Sequence, residues 1–258
     1  MKPCAVPNFH GPRAALIVAL ALVGLATTTT SYAASCVAQS PAFVTPLVEL
    51  YTSEGCDSCP PADRWLSKLR TDPGVVALAF HVDYWDRLGW IDRFASPAYT
   101  QRQAQQQATN GARFSYTPQL VIDGVDTPKW YAAAQPQSSR DRRPANVDIS
   151  LARDGRQFSA TVRAKAGAPA RLAAYWAVTE HGHSTAVKAG ENKGATLQHD
   201  HVVRQYLPVA AWNATVGEGA VLRYEPDLSG ATAQATDVNF VVIDALNGRP
   251  VQSLKLGC

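Results

Sequence analysis

The chain has 258 residues, of which 46% are hydrophobic and 17% are charged, and its formal net charge is +3. This length suffices for one large domain or two small ones. Nothing in such a small net charge implies nucleic acid, so no nucleic-acid partner is predicted.

The N-terminus has the pattern of a secretory signal peptide. Basic residues Lys2 and Arg13 precede an apolar run over residues 14–26, and small residues lead to an exit at Ala33. An apolar run this short does not span a bilayer. We therefore predict a signal peptide over residues 1–33, a periplasmic or secreted protein, and no stable membrane insertion after its removal.

Removal of this segment would leave four of the five cysteines, Cys36, Cys56, Cys59 and Cys258. An even count in an exported chain permits disulfides. We predict a structural disulfide between Cys36 and Cys258, which would join the two ends and restrain the unfolded state. The alternative is a lipidated Cys36, because small residues precede it, but Ala33 stands where such sites have a large aliphatic residue.

The pair Cys56 and Cys59 follows an apolar run over residues 47–51 and precedes a helix-like stretch. At a helix start the first sulfur meets unpaired N–H groups and the positive end of the helix dipole, which favour the thiolate. Cys56 would then attack a client disulfide and Cys59 would resolve the mixed disulfide. Asp57 opposes thiolate formation, which indicates a reducing or isomerising pair.

Two other interpretations of this pair remain open, a structural disulfide and half of a metal site. Zinc normally takes further Cys or His ligands at comparable spacing, and the chain has no second C-x-x-C. We therefore predict no metal at Cys56 and Cys59.

Periodicity predicts the elements that follow. The apolar runs 47–51 and 75–82 fit buried parallel strands, and residues 62–69 between them have helical spacing, which together make a β-α-β unit. A second helix is predicted over residues 100–110. Pro118 then opens a buried strand that ends in an Asp-Gly turn.

These residues resemble the thioredoxin superfamily, in which a strand, a C-x-x-C helix and a cis-proline strand meet at one active site. More closely, the chain resembles a family of secreted bacterial thioredoxin-fold proteins of unknown function. The matching stretches are residues 49–56, 59–63, 79–86, 88–90, 116–119, 190–194 and 202–204. The resemblance implies an α/β thioredoxin-like domain with an inserted helix, a cis Thr117–Pro118 bond, and a client strand bound beside Pro118.

Four more residues are candidates for the site. Glu49 lies on the strand before Cys56, and Asp83 follows the next strand, so each is a candidate proton relay, although a solvated carboxylate is the simpler interpretation. Trp85 and Trp90 could line a substrate groove together with Thr117 and Pro118, or could simply pack.

The pattern changes after a polar, arginine-rich stretch over residues 139–144, which we predict to be a linker. The thioredoxin-like domain would therefore cover residues 34–138. Residues 145–258 alternate as strands do, beginning with a hairpin around Asp154 and Gly155, and predict a small all-β module like a sandwich.

This second region contains two histidine pairs, His181 with His183 and His199 with His201. Alternate residues of a strand share a face, so each pair could bind one metal ion. Gly182 and the polar surroundings favour exposed turns instead. No metal and no other cofactor is predicted.

Together these features predict an exported thiol-disulfide oxidoreductase of the reductase or isomerase type. Its partners would be client proteins or small-molecule disulfides and an unidentified redox partner. The alternative is a non-catalytic secreted binding module with a structural C-x-x-C disulfide. Exposure of Cys56 separates the two, because an attacking sulfur must reach its client.

Overall fold

The structure is a computed structural model that describes residues 1, 36–132, 143–227 and 236–257. The described residues form two α-helices, α1 (Pro60–Ser67) and α2 (Pro97–Asn110), two short 3-10 helices (Asp86–Leu88 and Trp130–Ala132) and fourteen strands. The strands are β1 (Cys36–Gln39), β2 (Leu47–Thr52), β3 (Val76–His81), β4 (Gln119–Ile122), β5 (Val125–Asp126), β6 (Val147–Asp154), β7 (Gln157–Ala164), β8 (Arg171–Glu180), β9 (His183–Ala186), β10 (Thr196–His199), β11 (Val202–Asn213), β12 (Gly219–Tyr224), β13 (Thr236–Asp244) and β14 (Pro250–Gly257). No described helix is long and apolar enough to cross a membrane.

The predicted fold class, an α/β thioredoxin-like domain followed by a separate β module, is wrong. The described residues are mainly β-structure, arranged in sheets of four, two and eight strands. The eight-stranded sheet has the order β14-β13-β8-β11-β3-β2-β4-β5. Four of its strands precede the predicted linker and four follow it. The two predicted regions therefore share one sheet.

The junction within this sheet is the pairing of β3 with β11. The two strands run parallel where Ala79 faces Val202, and the Ala79 N–H donates to the carbonyl of His201 at 2.8 Å. Residues Ala34–Cys258 accordingly form one compact unit. The predicted signal peptide, apart from Met1, and most of the predicted linker lie outside the described residues.

The predicted β-α-β unit is present inside the larger sheet. Strands β2 and β3 are parallel and wholly buried, with α1 between them in the chain. Pro60 and Pro61 fit the first turn of α1, where their missing N–H groups cost nothing. Leu66 of α1 packs on one face of the sheet and Tyr99 of α2 on the other. Both faces are covered, which explains why these strands are apolar throughout.

A second core lies between two sheets. The four-stranded sheet, of order β1-β6-β7-β12, faces β8, β13 and β14 of the large sheet. Leu151 and Ile149 of the small sheet meet Trp176 and Phe240 of the large one, whose ring centroids are 4.4 Å apart. The alternating pattern after residue 145 predicted two packed sheets. One of these two sheets, however, is the eight-stranded sheet that also contains β2, β3, β4 and β5.

The predicted disulfide between Cys36 and Cys258 stays a prediction, because Cys258 lies outside the described residues. Strand β1, which begins at Cys36, contacts β14, which ends at Gly257.

We expect peptide mapping of exported protein without reductant to recover Cys36 linked to Cys258. The double variant Cys36→Ser/Cys258→Ser should lose up to about 5 kcal/mol of unfolding free energy, because the bridge closes a very long loop. Urea denaturation measures that loss. An acyl group on Cys36, or two alkylatable thiols in the native protein, would contradict the pairing.

Candidate functional site

The C-x-x-C segment lies between the end of β2 and the start of α1. Cys56 and Cys59 form a disulfide with their Cα atoms 5.4 Å apart. Cys59 is the N-cap of α1, and its carbonyl accepts from the N–H groups of Ala62 and Asp63. Cys56 lies before the helix. Cys59 is thereby fixed to the helix, while Cys56 belongs to the preceding loop.

Both cysteines are completely buried, with an exposed fraction of 0%. The two-stranded sheet of β9 and β10 packs against α1, and the loop that connects these strands reaches the disulfide. We call residues 187–195 the covering loop. Burial of Cys56 is the result that the structural-disulfide interpretation predicts.

Asn192 fastens the covering loop to the C-x-x-C segment. Its side-chain amide donates to the carbonyls of Glu54 and Cys56, each at 2.9 Å. Beside it, the Asp57 N–H donates to the Glu191 carboxylate at 3.1 Å. The sequence Gly-Glu-Asn-Lys-Gly at residues 190–194, noted above only for its resemblance, is thus part of the site.

The structure confirms the predicted cis Thr117–Pro118 bond and brings it near the disulfide loop. The Trp85 indole N–H donates to Thr117 Oγ1 at 2.8 Å. On its other side, the Trp85 Cβ would lie 3.0 Å from a Cβ added to Gly55, which directly precedes Cys56. Trp85 therefore bridges the two segments that the sequence assigned to one site.

Trp90 also lies at this site, beneath the covering loop. Its indole N–H donates to Glu54 Oε2 at 2.8 Å. Gly190 has a φ of +72°, and a Cβ added there would lie 3.2 Å from the Trp90 Cβ. Trp85 and Trp90 are both half-buried, and each makes a hydrogen bond and a packing contact within the site. Their role in substrate binding stays a prediction.

Glu49 is engaged in a different network, on the opposite face of β2 from α1. Its carboxylate accepts from Arg102 at 2.9 and 3.1 Å, from Gln106 at 2.7 Å and from the Tyr175 hydroxyl at 2.9 Å. Both oxygens of the Glu49 carboxylate therefore accept hydrogen bonds, and the carboxylate forms a buried ion pair with Arg102. These contacts give no support to the predicted proton-relay role.

Asp83, the other candidate relay, is tied to α2. Its carboxylate accepts from the Thr100 hydroxyl at 2.6 Å, and its own N–H donates to the same hydroxyl oxygen. The structure therefore associates Asp83 with helix α2, and the relay role stays a prediction.

A buried polar cluster beside the disulfide was missed by the sequence analysis. It consists of Glu54, Asp63, His81, Asp92 and His199, and we call it the buried cluster. Asp92 Oδ2 accepts from the Glu54 N–H at 2.8 Å and from His81 Nδ1 at 2.6 Å. Glu54 Oε1 lies 3.4 Å from His199 Nε2. The sequence signals were that His199 belongs to one of the two histidine pairs, and that His81 ends a strand at the sheet edge where ligands collect.

Burial and charge act against each other in this cluster. Burial alone would lower the pKa of His81, but the Asp92 carboxylate outweighs it and raises that pKa. Burial likewise works to raise the pKa of Asp92 and of Glu54, yet His81 and His199 respectively lower them. For Asp63, burial prevails and the pKa is raised. For Glu54 and Asp92, the neighbouring groups therefore favour the charged form.

The prediction that the four histidines occupy exposed turns is wrong. His181, His183, His199 and His201 are 2–6% exposed. Gly182 lies in the short connection between β8 and β9, with a φ of +71°, but the flanking His181 and His183 are buried. His183 and His199 face each other across β9 and β10. His199 approaches His81, with ring centroids 5.1 Å apart, rather than forming a pair with His201.

Comparisons with known proteins found solved structures with a similar fold and one protein family that matches the chain. The X-ray crystal structure of protein AGR_C_4864 from Agrobacterium tumefaciens aligns with a TM-score of 0.61 and 24% identity, over 84% of this chain and 96% of that one. HBP35 of Porphyromonas gingivalis aligns with a TM-score of 0.59 and 16% identity, over 84% and 76%. No curated protein matches the chain. Residues 47–243 match a family model, and the chain therefore belongs to the family described as a protein of unknown function, DUF1223.

Proposed function

We propose that the protein is an exported thiol-disulfide oxidoreductase whose redox pair is Cys56 and Cys59. The observation that carries this proposal is the closed C-x-x-C disulfide at the first turn of α1. A disulfide over so short a loop stabilises little, about 2 kcal/mol in the chain-entropy model. The same position puts the first sulfur near the positive end of the α1 dipole, which favours its thiolate, and the Ser58 hydroxyl lies 3.4 Å from that sulfur. Reactivity therefore explains the pair better than stability does.

The reductase reaction begins with the dithiol form of the pair. The Cys56 thiolate attacks one sulfur of a client disulfide, and the other client sulfur leaves and takes up a proton. Cys59, once deprotonated, attacks the Cys56 sulfur and releases the second client thiol. Two electrons have then passed to the client, and the disulfide of the structure is restored. An external dithiol, from the unidentified redox partner, must reduce the pair again.

The surroundings of the pair favour reduction or isomerisation of clients. Asp57 lies between the thiols, and the Glu191 carboxylate is held beside it. Two negative groups near the sulfurs disfavour the thiolate and so weaken the pair as an oxidant. Clients would be protein or small-molecule disulfides, bound beside Pro118 with Trp85 and Trp90 as apolar contacts. The disulfide itself is compatible with an exported protein.

The burial of both sulfurs favours a second candidate, a secreted binding module with a structural disulfide. The oxidoreductase must open the covering loop before its sulfurs meet a client. Asn192 makes the two hydrogen bonds that hold this loop over the Cys56 segment. The oxidoreductase therefore requires the covering loop to open, and the binding module does not.

We expect Asn192→Ala to speed reduction of the Cys56–Cys59 disulfide in native buffer. Loss of two hydrogen bonds, each worth about 0.5–1.5 kcal/mol net, should favour the open loop roughly 5- to 150-fold. The rate is measured by quenching with an alkylating agent during reaction with dithiothreitol. Asn146→Ala is the matched control, because the Asn146 amide also donates to a carbonyl, that of Gly167, in a part of the chain remote from the disulfide.

A rate unchanged in Asn192→Ala, with the native protein reduced only as fast as it unfolds, would support the structural disulfide and overturn the oxidoreductase proposal.

A further inference from the structure

Three buried side chains from separate elements converge below the disulfide. Asp63 lies on α1, His81 ends β3 and His199 ends β10. Each offers one potential ligand atom, and these atoms all lie within 4.8 Å of one another. The pairing of β3 with the start of β11 explains this convergence, because it places the chain just after His199 beside the end of β3.

Several polar atoms at this point are buried without a hydrogen-bond partner among the described residues. They include Nε2 of His81 and Nδ1 of His199, whereas Nε2 of His199 and Oε1 of Glu54, which also lack a hydrogen bond, lie 3.4 Å apart as an ion pair. The exposed fraction is 0% for His81 and 3% for His199. Buried polar groups are normally satisfied, so unpaired imidazole nitrogens in one place require an explanation. A metal ion supplies one, because neutral imidazole binds metals through such a nitrogen.

The remaining atoms of the three side chains are held in place by neighbours. His81 Nδ1 donates to Asp92 at 2.6 Å, and Nε2 of the same ring has no hydrogen-bond partner among the described residues. The Thr52 hydroxyl donates to Asp63 Oδ2 at 3.0 Å. A carboxylate that accepts from the second nitrogen of a histidine is the usual support of a metal-ligating imidazole.

The charges of the buried cluster also call for a cation. Glu54, Asp63 and Asp92 bring three carboxylates into the interior. Among the described residues, the ion-pair partners of Glu54 and Asp92 are histidines only, without lysine or arginine. Buried charges are normally paired or bind metals. A divalent ion at this point would pair with these buried carboxylates.

We propose that Asp63, His81 and His199 bind one divalent transition-metal ion of the zinc class. Two imidazoles with a carboxylate suit zinc and its first-row neighbours, whereas magnesium and calcium take oxygen ligands. Three protein ligands leave a coordination position for water. A cavity of about 90 Å³ beside α1 is lined by Asp63 and His199. The site uses neither sulfur, so it stands apart from the proposed redox function.

The test is zinc uptake by the full mature protein, after treatment with a chelator and with its disulfides intact, in competition with a chromophoric chelator. We expect one zinc ion per chain. His199→Ala should weaken binding at least tenfold, and Asp92→Asn, which spares the ligands, should weaken it roughly 10- to 100-fold. Magnesium should not compete. Cobalt bound to the unaltered protein should show visible bands of nitrogen and oxygen ligation without a sulfur charge-transfer band.

His183→Gln is the matched control, because His183 is also buried, at 6% exposed, but pairs with Glu180 outside the three ligands. Zinc affinity should be unchanged in this variant and in Cys56→Ser/Cys59→Ser. Absence of stoichiometric zinc uptake by the unaltered protein would overturn the site, and this result does not depend on the folding of any variant. Equal affinity in His199→Ala, or a loss of binding when the two cysteines are removed, would overturn it as well.

Discussion

Replacing Cys56 with serine is expected to abolish disulfide reduction, whereas replacing Cys59 should trap mixed disulfides with clients. Cys59 is fixed in the first turn of α1 by two backbone hydrogen bonds, and Cys56 lies in the loop that Asn192 holds down. When the covering loop opens, Cys56 is therefore the sulfur that becomes accessible. Without Cys59 the mixed disulfide formed by Cys56 has no internal thiol to resolve it.

Insulin reduction with dithiothreitol as electron donor measures the first effect, and non-reducing electrophoresis followed by mass spectrometry detects the trapped species. We expect the activity of Cys56→Ser to equal that of the double variant Cys56→Ser/Cys59→Ser. Cys36→Ser/Cys258→Ser is the control and should keep its activity at temperatures where it remains folded. Full turnover by Cys56→Ser would refute the assignment of Cys56 as the attacking thiol.

Arg102→Leu is expected to destabilise the protein by about 3–5 kcal/mol, the cost of leaving a buried charge without its partner. The side chains of Arg102 and Glu49 are 4% and 0% exposed, and two guanidinium nitrogens contact the same carboxylate oxygen. Loss of the guanidinium leaves Glu49 with Gln106 and Tyr175 as its only hydrogen-bond donors among the described residues. Urea denaturation, followed by circular dichroism and analysed with its m-value, measures the change.

The matched control for this variant is Arg156→Leu. Arg156 pairs with Glu225 at 3.3 Å, but the two side chains are 75% and 54% exposed, so its loss should cost less than about 1 kcal/mol. The double variant Glu49→Met/Arg102→Met should recover part of the stability lost in Arg102→Leu, because it removes both buried charges. Similar stabilities for Arg102→Leu and Arg156→Leu would show that the buried pair does not stabilise the fold as its geometry indicates.

Local features of the fold were readable from the sequence because they depend on neighbours in the chain. The apolar runs gave β2 and β3, the paired prolines fit the start of α1, and Gly111 ends α2 with a φ of +63°. The C-x-x-C spacing indicated the disulfide that the structure contains. The cis bond before Pro118 was accessible only through resemblance, since X-Pro bonds are usually trans.

The shared sheet was not readable, because it depends on contacts between distant residues. The pairing of β3 with β11 joins residues near 79 to residues near 202, and no local pattern specifies such a partner. The alternation after residue 145 is the same whether those strands form a separate module or extend an existing sheet. The predicted fold class, with a separate β module, was wrong for this reason.

The buried cluster was hidden because Asp63 and His199, two of its members, look like surface residues in the sequence. Asp63 lies in the first turn of a helix, where an acid commonly faces solvent and the helix dipole. His199 lies among polar residues, and its burial depends on the packing of β10 against α1. Only the assembled fold brings these residues to His81.

The most direct test of the proposed function is the reduction potential of Cys56 and Cys59 in the folded protein. The protein is equilibrated with glutathione buffers of graded potential, and the dithiol fraction is counted by alkylation and mass spectrometry. We expect a reversible two-electron transition within the range of catalytic dithiols, about −120 to −270 mV. A pair that stays oxidised below about −300 mV, the range of structural disulfides, and is reduced only when the protein unfolds would contradict the redox function.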